Sequence, residues 1–78
     1  MKNLEKIFKG LANKRRLAII KLLINRKELA VADIAESIRL SFKATSKHLQ
    51  ILRQLDIVDK KQISLNVYYY LSRYAGAK

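Results

Sequence analysis

The side chains in this sequence whose types and spacing could do chemistry gather between Ser41 and Gln50. Ser41, Ser46 and Gln50 bring neutral donors and acceptors, Lys43 and Lys47 bring cations, Ala44 is small, and no acid interrupts them. This is binding chemistry. Hydroxyl and amide groups bond base edges, lysine meets guanine or a phosphate, and a small alanine lets a backbone approach closely or touch a thymine methyl. Thr45 is counted with these contacts, although its spacing to Leu49 and Leu52 also sets it on the inward stripe of the same helix. The bland alternative for the group is a solvated helix face. Lys60 and Lys61 form a second candidate pair, placed near the tip of a hairpin to touch phosphates or a minor groove. Lysines on an edge strand also serve solubility alone.

Other chemistries find little support. The chain has no cysteine, so disulfides, thiolate metal sites and cysteine nucleophiles are all excluded. His48 is the one histidine, too few for a tetrahedral metal site within a subunit, and reads as structural or phosphate-facing. No hydroxyl is paired with a base and no two acids converge in the pattern, so the chain does not read as an enzyme and no cofactor is expected. Arg15 and Arg16 suit a phosphate clamp or ion pairs with the acids at 33 and 36, and the sequence leaves both open. Tyr68, Tyr69, Tyr70 and Tyr74 could stack on bases, but an alternating strand gives half its residues to a core, and Tyr69 is assigned to packing.

The elements that must position these groups follow from periodicity. Asn3 caps a first helix over 4–11, in which Leu4, Ile7, Phe8 and Leu11 recur at helical spacing and Gly10 with Asn13 marks the end. Asn13 caps a second helix over 14–25, with Leu17, Ile20, Leu23 and Ile24 as its apolar stripe. Leu29 and Ala30 make a bridge-like strand at most. A third helix spans 31–38 around Val31, Ile34, Ala35 and Ile38, with Asp33 and Glu36 in its early turns. Leu40 and Ser41 form a turn, and Ser41 caps a fourth helix over 42–55. From Ile57 the period becomes two. This predicts a hairpin of strand 57–63, a turn within 64–66 with Asn66 at positive φ, and a strand through Leu71.

Seventy-eight residues allow one domain, 1–78, with one core, and a chain half apolar with no proline should fold. Seventeen basic against six acidic side chains give +11, which favours a polyanionic partner. No apolar run approaches the ~20 residues of a membrane span, and no signal peptide is visible, so a soluble, cytoplasmic protein is expected.

Helices followed by a basic antiparallel wing define a mainly α fold with a small β-hairpin, the winged helix-turn-helix, whose fourth helix would enter the major groove of double-stranded DNA. The runner-up is the same fold used as a protein-interaction or RNA-binding module without operator specificity. A basic membrane-surface binder is a third class, disfavoured because the chain divides into several short elements.

Three stretches carry a family resemblance over nearly the whole chain: Leu11-Ala12-Asn13-Lys14-Arg15-Arg16-Leu17, Ser46-Lys47-His48-Leu49-Gln50-Ile51-Leu52, and Tyr69-Tyr70-Leu71. They resemble the ArsR-type winged-helix repressors. The resemblance implies a homodimer on a palindromic operator, released by a signal that is often a metal ion. Yet Ala30 and Ala32 stand at both positions where the family's metal sensors carry cysteine, so no metal effector is expected. The family often has glycine after the fourth helix, where this chain has Asp56. The residues after Leu71 are too few for the family's long C-terminal helix, and a homodimer is expected instead through Leu4, Phe8 and Tyr74.

Overall fold

A computed structural model describes residues 4–72. Four helices, α1 (Leu4–Leu11), α2 (Lys14–Arg26), α3 (Val31–Ile38) and α4 (Phe42–Gln54), are joined by short turns, with β1 (Glu28–Ala30) between α2 and α3. The strands β2 (Val58–Ile63) and β3 (Asn66–Leu71) follow. All expected elements form, within a residue or two of their expected limits. The Asn13 side chain accepts from the Arg15 and Arg16 amides at 2.9 and 3.1 Å, and Ser41 Oγ accepts from the Ala44 amide at 3.1 Å. Each cap satisfies donors that a helix start leaves without a partner. Asn3 and Tyr74 lie outside the described residues.

The hairpin is part of a larger sheet. β1 pairs antiparallel with β3 over three positions, from Glu28 opposite Tyr70 to Ala30 opposite Tyr68, and β3 pairs with β2 on its other side. The order β1-β3-β2 makes the last strand central, and the bridge-like segment becomes a full edge strand. The turn is Ser64-Leu65, closed by Ile63 opposite Asn66, and the positive φ falls on Ser64 (59°), not on Asn66. In a two-residue loop with positive φ at the first position only, the strand twist selects that residue, and Asn66 already belongs to the ladder.

Ile19, Leu23, Ile34, Leu49, Leu52, Val58 and Tyr69 form the core, so α2, α3, α4 and both hairpin strands contribute to one cluster. The stripe expected on α2 is therefore displaced. Ile19 and Leu23 carry its burial, while Leu17 and Ile24 are exposed. α2 is apolar on more than one side, and periodicity alone does not choose between the stripes. Gly10 does not end α1. It lies buried within the last turn, where a Cβ would collide with Cδ1 of Leu55, so it lets α1 approach the end of α4.

Two helices end in the same way without glycine. After α3, Arg39 takes a left-handed conformation (φ 56°, ψ 52°), with Leu40 N–H on Ala35 O at 3.0 Å and Arg39 N–H on Glu36 O at 3.3 Å. After α4, Asp56 (φ 62°) repeats the pattern, with Ile57 N–H on Leu52 O and Asp56 N–H on Arg53 O, both at 3.0 Å. These are Schellman closures, in which a side chain at the left-handed residue costs about 1–2 kcal/mol that glycine avoids. Arg39→Gly should therefore raise unfolding stability by about 1 kcal/mol, net of glycine's greater unfolded-state freedom. Chemical denaturation would read this directly, and an unchanged or lower midpoint would refute it.

Candidate nucleic-acid interface

Three residues of α4, Thr45, Leu49 and Leu52, are fully buried. Their burial fixes the helix rotation. The opposite face then carries Lys43, Lys47 and Gln50, exposed, with Ala44 and Ser46 half-buried at its margins. Ser41 stays exposed at the cap, its oxygen already engaged by the Ala44 amide. Thr45 must be withdrawn as a contact residue, because its side chain has no exposed surface and belongs to the inner stripe.

One exposed residue of α4 is absent from the expected set. Phe42 opens α4 with 60% of its surface exposed, beside the cap and four residues before Ser46. An apolar residue directly after a strong cap was the available sequence signal, but helical periodicity reads it as part of the apolar stripe.

The wing corrects the second pair. Its tip is Ser64 and Leu65, the latter 92% exposed, whereas Lys60 and Lys61 lie in mid-strand opposite Tyr69 and Tyr68. As strand neighbours they point to opposite faces of the sheet. Lys61 reaches across the sheet, with Nζ 2.7 Å from Glu28 Oε1 and 5.7 Å from the centre of the Tyr70 ring, tying the two edge strands over the central one. Lys60 remains exposed. The neighbouring Asp59 carboxylate accepts from the Lys60 amide at 2.8 Å and from Arg53 Nε at 3.3 Å. Chiefly the first of these bonds holds its pKa below the usual value. Tyr69 is buried as expected, and Tyr68 and Tyr70 are half-buried.

Arg16 pairs with neither acid of α3 among the described residues. Its Nε donates to Gly10 O at 2.6 Å and one terminal nitrogen lies 3.2 Å from His48 Nδ1, so one guanidinium joins the ends of α1 and α2 to the middle of α4. Burial, then the charges of Arg16, Arg15 and Lys47, lower the His48 pKa below 6.5. Among the described residues, no three His, Cys, Asp or Glu side chains come together to hold a metal ion, and Ala30 and Ala32 have no donor atoms to offer one.

A helical pair (α3 and α4) packed beneath α2, an acid-free outer face on α4, and a hairpin beside it define a winged helix-turn-helix. A model of the arsR family of bacterial regulatory proteins matches residues 13–60. The chain belongs to that family. It is 41% identical over 64 residues to the cadmium resistance transcriptional regulatory protein CadC of Listeria innocua, covering 82% of this chain and 54% of that protein. It is 38% identical over 65 residues to a transcriptional repressor SmtB homolog of Synechocystis, covering 83% of this chain and 48% of that one. The chain thus spans about half the length of these relatives.

Among solved structures, HlyU of Vibrio cholerae superposes with a TM-score of 0.82 at 33% identity, covering 92% of this chain and 77% of that one. The homodimeric winged helix-turn-helix DNA-binding domain Mb0332 of Mycobacterium bovis gives a TM-score of 0.86 at 31% identity, covering 95% and 68%.

The burial of Thr45 generates a prediction of its own. Its Oγ1 has no hydrogen-bond partner among the described residues, and a buried hydroxyl so placed costs stability. Thr45→Val keeps the shape and removes the polar atom, so it should stabilise the fold by about 1 kcal/mol. Loss of stability in thermal or denaturant unfolding would show that the hydroxyl is satisfied after all.

Proposed function

We propose that this domain is a sequence-specific, double-stranded-DNA-binding transcriptional regulator, acting as a repressor and not as an enzyme, in the cytoplasm. In this reading residues 1–78 work as one unit. α4 lies in the major groove with Ser41, Lys43, Ala44, Ser46, Lys47 and Gln50 toward the bases and flanking phosphates, and the wing follows the backbone through Lys60. The observation that carries the reading is the face of α4 itself: it is turned outward by three fully buried neighbours and has no acid. The family supports it, since the similar proteins CadC, the SmtB homolog and HlyU are transcriptional regulators. Among the described residues no helix is long and apolar enough to cross a membrane, which agrees with a partner in solution.

Binding to duplex DNA should weaken steeply with salt, because lysines that neutralise phosphates displace condensed counterions. Lys47→Ala should reduce the slope of log affinity against log salt by about one. Equal affinity for single-stranded RNA and for duplex, or a flat response to salt, would favour an interaction module in its place.

The regulator works as a homodimer in this reading. Leu4 and Phe8 are 59% and 63% exposed, on one side of α1, and α2 adds exposed Leu17 and Ile24, seven residues apart and so on one face. Mb0332, a relative in fold and sequence, is homodimeric. A two-fold pair would set two recognition helices about one DNA turn, ~34 Å, apart. No metal effector of the thiolate kind acts on it, since alanine holds both positions that would carry the sulfur. Phe8→Glu should yield folded monomers that lose specific binding far more than non-specific binding. Sedimentation showing the unmodified chain monomeric while it binds a single half-site specifically would rule the dimer out.

A further inference from the structure

The basic groups around His48 are drawn from two elements. α2 supplies Arg15 and Arg16, both half-buried, and α4 supplies Lys47, exposed and adjacent to the imidazole. Arg16 is fixed in place by its bond to the Gly10 carbonyl, and from there it contacts His48 Nδ1. A guanidinium can only donate, so Nδ1 accepts and the proton of the neutral ring sits on Nε2. Neither Arg15 nor Lys47 has an ion-pair partner among the described residues. All three charges act on the histidine and oppose charge on it. Such an arrangement has one obvious complement, an anion with several acceptor oxygens.

We propose that Arg15, Arg16, Lys47 and His48 form one phosphate-binding cluster that clamps a backbone phosphodiester at the junction of α2 and the recognition helix, with Arg16 as the residue that positions the neutral imidazole in the free protein. The inference rests on the reading of this domain as a DNA binder and adds to it a site on α2, outside the recognition face. Three cations on two helices give a phosphate more than one donor, which fixes the angle of α4 in the groove as contacts from α4 alone cannot.

The cluster has a thermodynamic signature. In the free protein the charged groups acting on His48 are Arg16, Arg15 and Lys47, all of one sign, and burial adds to their effect. A phosphate reverses the local field and favours the imidazolium, whose new Nδ1 proton can no longer accept from Arg16, so the guanidinium turns from the ring to the phosphate. The complex then holds more protons than its separated parts between the two pKa values. Affinity must therefore rise as pH falls through that window, by at most ~10-fold per pH unit for one proton.

His48 is the chain's one histidine, so its imidazole resonances identify themselves in an NMR titration of the unmodified chain. The probe is a random-sequence duplex of about 20 base pairs at low salt, because phosphate contact needs no operator. Saturating DNA should move the His48 midpoint upward, and the affinity should increase about 3- to 10-fold from about pH 7.5 to about pH 5.5. His48→Gln should bind with no such dependence, whereas Lys43→Ala should bind more weakly with the dependence intact. In the free protein, nitrogen shifts should report the Nε2–H tautomer, and Arg16→Lys should mix the two tautomers. A midpoint unmoved by saturating DNA, or the same pH dependence in His48→Gln, overturns the cluster while leaving DNA binding standing. Failure of the duplex to bind at all would overturn both readings.

Discussion

Burial of one face of α4 is the constraint from which the rest of this domain follows. Leu49 and Leu52 are completely enclosed by Ile19 and Leu23 from α2, Ile34 from α3, and Val58 and Tyr69 from the sheet. Each side chain of that size contributes about 1.5–3 kcal/mol when it leaves water, so the helix has no alternative rotation of comparable stability. The polar face of α4 is accordingly presented by a rigid element. A site built this way keeps its geometry better than one carried on a loop.

Charge is organised around that element. Two acids that balance basic groups stand on the strands: Glu28 takes Lys61 across the sheet, and Asp59 takes Arg53 at the end of α4. Pairs this exposed add about 0–1 kcal/mol each. Their main effect is on where positive potential remains. It is reduced along the middle of the wing and at the last turn of α4, and left intact on the earlier turns of α4 and at the start of α2, where Arg15, Lys43 and Lys47 have no such partner among the described residues. The field that draws a polyanion is thereby concentrated beside the helix that would read it.

The element order and the helix starts were legible because they rest on local signals. Asn13 and Ser41 cap from their own positions, and the change from helical to alternating period at Ile57 needs no tertiary context. What escaped the sequence depends on partners far along the chain. Ile19 and Leu17 are both apolar residues of α2, and only the packing of α4 and β3 decides that the first is enclosed and the second exposed. Thr45 sits between a polar face and an apolar stripe, and a hydroxyl reads as polar until the neighbours are known. The left-handed turns at Arg39 and Asp56 carry no glycine to announce them, and the contact of Arg16 with His48 spans thirty-two positions. The mid-strand position of Lys61 is hidden in the sequence because a hairpin's turn is hard to locate without its register, which Ile63 opposite Asn66 supplies.

The sheet order has a consequence for how the chain comes to be folded during synthesis. β1 leads directly into α3, with Ala30 both its last residue and the residue preceding the helix, yet its pairing partner β3 lies roughly forty residues later. Bringing such distant segments together costs loop-closure entropy before any ladder bond offsets it. While β3 is still within the ribosome, β1 has no strand to pair with and β2 has only itself. The helices can form and collapse earlier, but Tyr69 cannot complete the core until the central strand has emerged. Translation of the last strand is then the step that closes the nascent domain.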